Sequence, residues 1–137
     1  MNEIEVLIET EVNLTEDVEK VKRAIENIFG TVEYEIKSLH RGKLLVARTK
    51  GIAGLTKLYN LLRRERIRDA ARAVLFQGAD EKSITFYLNK QVAYAGHISF
   101  CKPVAESPLG PIKVQIKCEN PKELIDWLAP KTTQARS

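Results

Sequence analysis

The chain has 137 residues, 44% hydrophobic and 29% charged, with 22 basic against 18 acidic side chains and a net charge of +4. That length suits one compact domain, and no apolar run approaches the roughly 18 residues of a membrane span, which excludes an integral membrane protein. The opening MNEIEVLIETEV carries acids rather than a basic leader, and two unpaired cysteines suit a reducing compartment, so the expectation is a cytoplasmic protein.

The first segment alternates Ile4, Val6, Ile8 and Val12 against Glu3, Glu5, Glu9 and Glu11, the pattern of a half-buried strand. In NLTED, Thr15 is placed to cap a helix whose first turn holds Glu16 and Asp17. Val18, Val21, Ala24, Ile25, Ile28 and Phe29 follow at helical spacing, and Gly30 ends the run. A strand through Val32, Tyr34 and Ile36 then reverses at HRG into KLLVART.

One straight helix from Ile52 to Phe76 does not satisfy the next stretch. Leu55, Leu58, Tyr59 and Leu62 form one apolar stripe, Ile67, Ala70, Ala71 and Val74 another, rotated about the axis. A break near residues 63–66 lets each half bury its own face. Five arginines lie between Arg63 and Arg72, and Arg64, Arg68 and Arg72 step by four into an outward ridge with Lys57 on the same side.

Beyond the QGADEKS loop, Ile84, Phe86 and Leu88 point inward from a strand, and KQVAYAGHISF continues as extended or mixed structure. KPVAESPLGPI reads as a long surface connection. Ile112, Val114, Ile116 and Cys118 mark a last strand. Asn120 and Pro121 open a terminal helix that Pro130 closes. The expected fold is α+β, a mixed or antiparallel sheet of about five strands with helices on one face. Residues 1–130 form the domain and 131–137 a frayed tail.

Charge is segregated along this chain. Residues 1–36 hold 3 basic and 10 acidic side chains, residues 37–78 hold 11 and 2, and residues 79–137 hold 8 and 6. The positive middle can attract a polyanion although the total is modest. No GxGxxG, phosphate-loop, GxSxG or HExxH pattern occurs, and neither His40 nor His97 has a nucleophile or orienting acid at a local spacing. Catalysis is therefore not expected, and no metal or cofactor is assigned.

Gly51 and Gly54 form a GxxG before a helix, which serves either as a phosphate-holding turn or simply as a strand-to-helix turn. Phe86 and Tyr87 make no stacking platform, and the exposed strand positions carry glutamates that repel phosphate. What remains is the basic middle, where weakly hydrated, always charged guanidiniums favour gripping phosphate over mere solubility.

FYLNKQVAYAGHISF, SPLGPIKVQI and LIDWLAP resemble a family of uncharacterised archaeal proteins described as RNA-binding and sometimes linked to the exosome. The resemblance covers nearly the whole chain, with NLTEDVEKVKRAI and RIRDAAR in the expected order. It implies a fold similar to that of the large-subunit ribosomal protein that binds five-S rRNA. It singles out Asn89, Lys90, Gln91, Gly96, Leu109 and Gly110; either Lys90 and Gln91 donate to phosphate or base edges, or Asn89 and Gln91 satisfy backbone groups at a bulge or turn with Gly96 allowing a tight backbone approach.

The resulting expectation is a non-enzymatic protein that holds the phosphate backbone of structured RNA. Its contact residues are Arg41, Lys43, Lys50, Lys57, Arg64, Arg68, Arg72, Lys90 and Gln91. The alternative is a protein-interaction or self-associating domain whose basic pole docks on acidic surface, that of a homodimer partner included.

Overall fold

A computed structural model of the chain describes residues 3–103 and 110–131. Alternating side chains dictate β1 (Glu5–Val12), which buries Val6, Ile8, Thr10 and Val12. Helix α1 (Val18–Phe29) is capped by Asp17, whose side chain accepts from the Glu19 amide, and not by Thr15. The cap lies two residues later because the Glu16 carboxylate turns back to accept from the backbone and side-chain amides of Asn13, closing the loop before the helix begins. Gly30 ends α1 at φ 76°, its amide donating to Glu26 O.

Strands β2 (Glu33–Ser38) and β3 (Lys43–Lys50) form the expected hairpin. A single 3-10 turn (Ile52–Leu55) leads into α2 (Thr56–Arg64), and α3 (Arg68–Gln77) follows after a break. The break lies where the two apolar stripes conflict. Arg66 takes φ 57°, its amide donates to Arg63 O, and the Ile67 amide donates to Leu62 O, the closure of a helix by a left-handed residue. A non-glycine residue there costs about 1 kcal/mol, which burial of both helix faces offsets.

Strand β4 (Ser83–Asn89), the short helix α4 (Lys90–Tyr94), β5 (Phe100–Cys101), β6 (Pro111–Lys117) and α5 (Pro121–Leu128) complete the domain. The sheet is antiparallel in the order β2-β3-β1-β6-β4-β5. It has six strands rather than five, because two residues after α4 pair with Tyr87 and Leu88. Helical and strand residues share one core, with Ile8, Ile25, Leu45, Leu62, Leu75, Phe86, Val114 and Leu124 all buried, so the helices cover one face.

The other face stays open and carries compensated charge. Glu5 lies opposite Lys50 and Lys117, Glu9 opposite Lys113, and Arg48 bonds Glu35 at 3.0 Å. Among the described residues no helix is long and apolar enough to cross a membrane. Leu109, most of the connection before β6 and residues 132–137 of the expected tail lie outside the described residues.

Candidate functional site

The turn that starts α2 brings three of the expected cations to one place. Lys50 ends β3 at the rim of the sheet, opposite Glu5 on β1 and bordering the first cleft, and Lys57 and Arg64 lie seven positions apart on α2, roughly 10 Å along its axis. Two open clefts of about 420 and 400 Å³ run beside this helix and share Lys57 and Asn60. The first reaches Lys50 and the Gly30–Thr31 corner; the second reaches Asn27, Arg64 and Gly96. No carboxylate appears in either lining among the described residues.

Two of the three cations, Lys57 and Arg64, are partly anchored by a carbonyl. Lys57 Nζ donates to Glu26 O at 2.9 Å, near the end of α1, and Arg64 donates to Gly96 O at 2.9 Å. A neutral acceptor orients the side chain without cancelling its charge. Arg64 remains 63% exposed, with Glu65 at 3.8 Å. The Glu65 carboxylate is itself engaged, accepting from His97 Nδ1 at 2.6 Å and from the Ile98 amide at 3.3 Å. The His97 hydrogen bond, chiefly, holds the Glu65 carboxyl below its usual range. This acid and histidine are 32 positions apart, which is why local spacing did not pair them.

The GxxG is a packing device. Gly51 has φ 76° and donates its amide to Ile4 O, while Gly54 donates to Gly51 O. A Cβ on Gly54 would fall 2.7 Å from Thr49 Oγ1. Both glycine amides are thus spent inside the turn, which places Lys50 and Lys57 around the cleft rather than cradling an anion itself.

The continuous ridge Arg64–Arg68–Arg72 is not formed, because the break at Arg66 separates Arg64 on α2 from the other two on α3. Arg72 is internal: its side chain is 15% exposed, pairs with Asp126 at 2.8 Å and donates to Ala129 O. Arg63 lies over the Tyr59 ring, itself stacked on Trp127, and donates to Leu128 O and Trp127 O. Two arginines therefore close the carbonyl end of α5, where cations suit the helix dipole. Arg68, half-buried, opens α3 beside them.

Arg41 and Lys43 are exposed at the β2–β3 turn, the far end of β3 from Lys50 and roughly 24 Å away along the strand. Lys90 is 4% exposed and unavailable to a large ligand. Its ammonium donates to Glu11 O at 2.7 Å and to Glu16 at 3.1 Å, and burial lowers its pKa despite that carboxylate. Asn89 caps α4 through the Val92 amide, Gly96 and Gly110 take positive φ, and Gln91 is exposed beside Glu16, Asp17 and Lys20. Asn89 satisfies a backbone amide, as one of the two readings had it; Lys90, expected as a donor to RNA, is turned inward to Glu11 O and Glu16, and Gln91 stays exposed.

The model of a family described as RNA binding matches residues 5–118. A UPF0201 protein of Sulfurisphaera tokodaii is 46% identical over 129 residues, 94% of this chain and 89% of its own. The crystal structure of a UPF0201 protein from Methanococcus jannaschii superposes with a TM-score of 0.84 at 38% identity, covering 93% of this chain and 94% of that one. A DUF54 protein from Methanothermobacter thermautotrophicus shares the fold, with a TM-score of 0.63 at 23% identity over 93% of this chain and 99% of its own.

Proposed function

The chain belongs to this archaeal family with the RNA-binding description, and on that premise we propose that it is a non-enzymatic, cytoplasmic binder of structured RNA that grips phosphate along α2. The observation that carries the reading is the series Lys50, Lys57 and Arg64 along two adjoining open clefts that share Lys57 and Asn60, with no carboxylate in either lining among the described residues. Asn60, Thr31 and Thr56 add neutral donors between these cations. Ammonium, guanidinium, amide and hydroxyl groups hold an anion but exchange no proton near neutral pH, which favours binding over catalysis.

Among the described residues Phe29 is the single aromatic in the lining and is buried, so these offer no platform for stacking unpaired bases. Cations spaced along a helix suit the regular backbone of a duplex region, read by shape rather than by base edges. Arg41, Lys43, Arg68, Arg72, Lys90 and Gln91 drop out of this contact set on position, burial or pairing.

Titration of labelled duplex RNA at 50 and 200 mM salt tests the reading. Three phosphate contacts predict a slope of log affinity on log salt of about −2.7, a fall on the order of 40-fold across that interval. Affinity that is absent at the lower salt, or indifferent to salt, rejects the proposal.

A further inference from the structure

The sheet ends on a long unpaired strand. β2 is an edge of the sheet, bonded on one side to β3 and on the other to nothing among the described residues. Ile36 is 46% exposed on this edge and Leu39, just beyond it, is 40% exposed. An exposed edge six residues long with apolar side chains is the feature that proteins ordinarily cover, shorten or pair. Lys37 is its only basic residue, between Glu33 and Glu35 on one side and Ser38 on the other.

The direction of the free backbone groups follows from the ladder. The Leu39 amide donates to Gly42 O, so in the register of this hairpin Lys37, Glu35 and Glu33 are the residues bonded to β3. The Gly51 amide donating to Ile4 O at the other side of β3 fixes the same alternation. Tyr34, Ile36 and Ser38 therefore direct their amides and carbonyls away from the sheet. An antiparallel strand can dock only in registers that match these three residues with one another.

We propose that this edge pairs with β2 of a second copy about a two-fold axis at Ile36, joining two sheets into one. The register is selected by charge. Centring on Glu35 sets Glu35 against the partner's Glu35 at the centre, although Glu33 then faces the partner's Lys37; centring on Lys37 sets two lysines together, and centring on Tyr34 sets Glu33 against the partner's Glu35. Centring on Ile36 places Glu35 opposite the partner's Lys37, twice by symmetry, and brings the two Ile36 side chains into contact on the helix-covered side. Glu35 and Lys37 then occupy non-hydrogen-bonded positions of the new ladder, where facing side chains come closest. Three matched pairs, Ile36 with itself and Tyr34 with the partner's Ser38 in both directions, exchange two backbone bonds each. The contact is isologous and closed, leaving no β2 edge for further addition. It uses none of the groove residues, so it stands or falls separately from the RNA reading.

Sedimentation of the full chain at micromolar concentration is expected to show a dimer. Lys37→Glu, which faces Glu35 with a second carboxylate, is expected to give a monomer with an unchanged circular dichroism spectrum. Combining it with Glu35→Lys, which also gives up the bond from Arg48, is expected to restore the dimer in part. A cross-link reads the register directly, because residues paired with themselves at a hydrogen-bonded position have Cα atoms about 5.5 Å apart, within reach of a disulfide. On a Cys101→Ser background, Ile36→Cys is expected to oxidise to a covalent dimer and Tyr34→Cys is not. A monomeric parent chain overturns the proposal, as does a dimer that is indifferent to Lys37→Glu and cross-links no better through Ile36→Cys than through Tyr34→Cys.

Discussion

Replacing Lys90 with methionine is expected to destabilise the domain by about 3–5 kcal/mol, measured by urea unfolding, a large share of a typical domain's total. The loss comes from what stays behind. Glu16 keeps its two donors from Asn13 but becomes a buried carboxylate without a cation, and Glu11 O loses a donor at 2.7 Å. Breaking a buried pair from one side strands the other charge, whereas replacing both members with neutral groups of similar shape costs far less. The double variant Lys90→Met with Glu16→Gln is therefore expected to recover at least half of the loss. A single-variant cost below about 1 kcal/mol would show that water reaches Glu16 and that the pair does not hold β1, α1 and α4 together.

Reversing Lys50, Lys57 and Arg64 together to glutamate is expected to lower affinity for duplex RNA by two orders of magnitude or more at 50 mM salt. Each change removes a charge-assisted bond, worth about 1.5–3 kcal/mol at best, and places a like charge beside the phosphate. Two controls locate the effect. Arg72→Gln removes the pair with Asp126 and the bond to Ala129 O, so it is expected to cost stability while RNA affinity stays within about twofold. Arg41→Glu with Lys43→Glu reverses two cations at the far end of β3, against three in the groove, and is expected to change affinity only about threefold through the long-range field. Equal losses from the hairpin variant and the groove variant would show a diffuse electrostatic attraction without a site.

The elements themselves were largely legible, because periodicity is local information. Conflict between two apolar stripes located the break between α2 and α3, and Arg66 sits within the expected stretch. What that reading carried too far was the arginine ridge, since stepping by four presumes a single helix, and the left-handed turn at Arg66 removes the common axis. The cap of α1 moved from Thr15 to Asp17 because Glu16 answers to Asn13 and to Lys90, the latter 74 positions away. Strand β5 escaped notice because two residues have no period.

The site was legible in half. Lys50, Lys57 and Arg64 were chosen for their charge, and the fold groups them along two adjoining clefts. The same criterion chose Lys90 and Arg72, whose partners Glu11, Glu16, Asp126 and Ala129 lie 54 to 79 positions away in sequence. Charge in a sequence indicates what a side chain can bind. Only the fold determines whether an internal carboxylate or carbonyl has already taken it. Asn60 and the Gly30–Thr31 corner were missed, since an exposed asparagine and a helix end carry no signal until α1 and α2 are packed together.

The most direct measurement follows backbone amide resonances of the uniformly labelled chain as a short RNA duplex is added. Perturbations confined to Gly30–Thr31 and to the run from Lys50 through Arg64, with the Arg41–Lys43 turn and the open sheet face unmoved, are the result this account requires. Shifts centred on that turn or on the sheet face, with α2 silent, would contradict it.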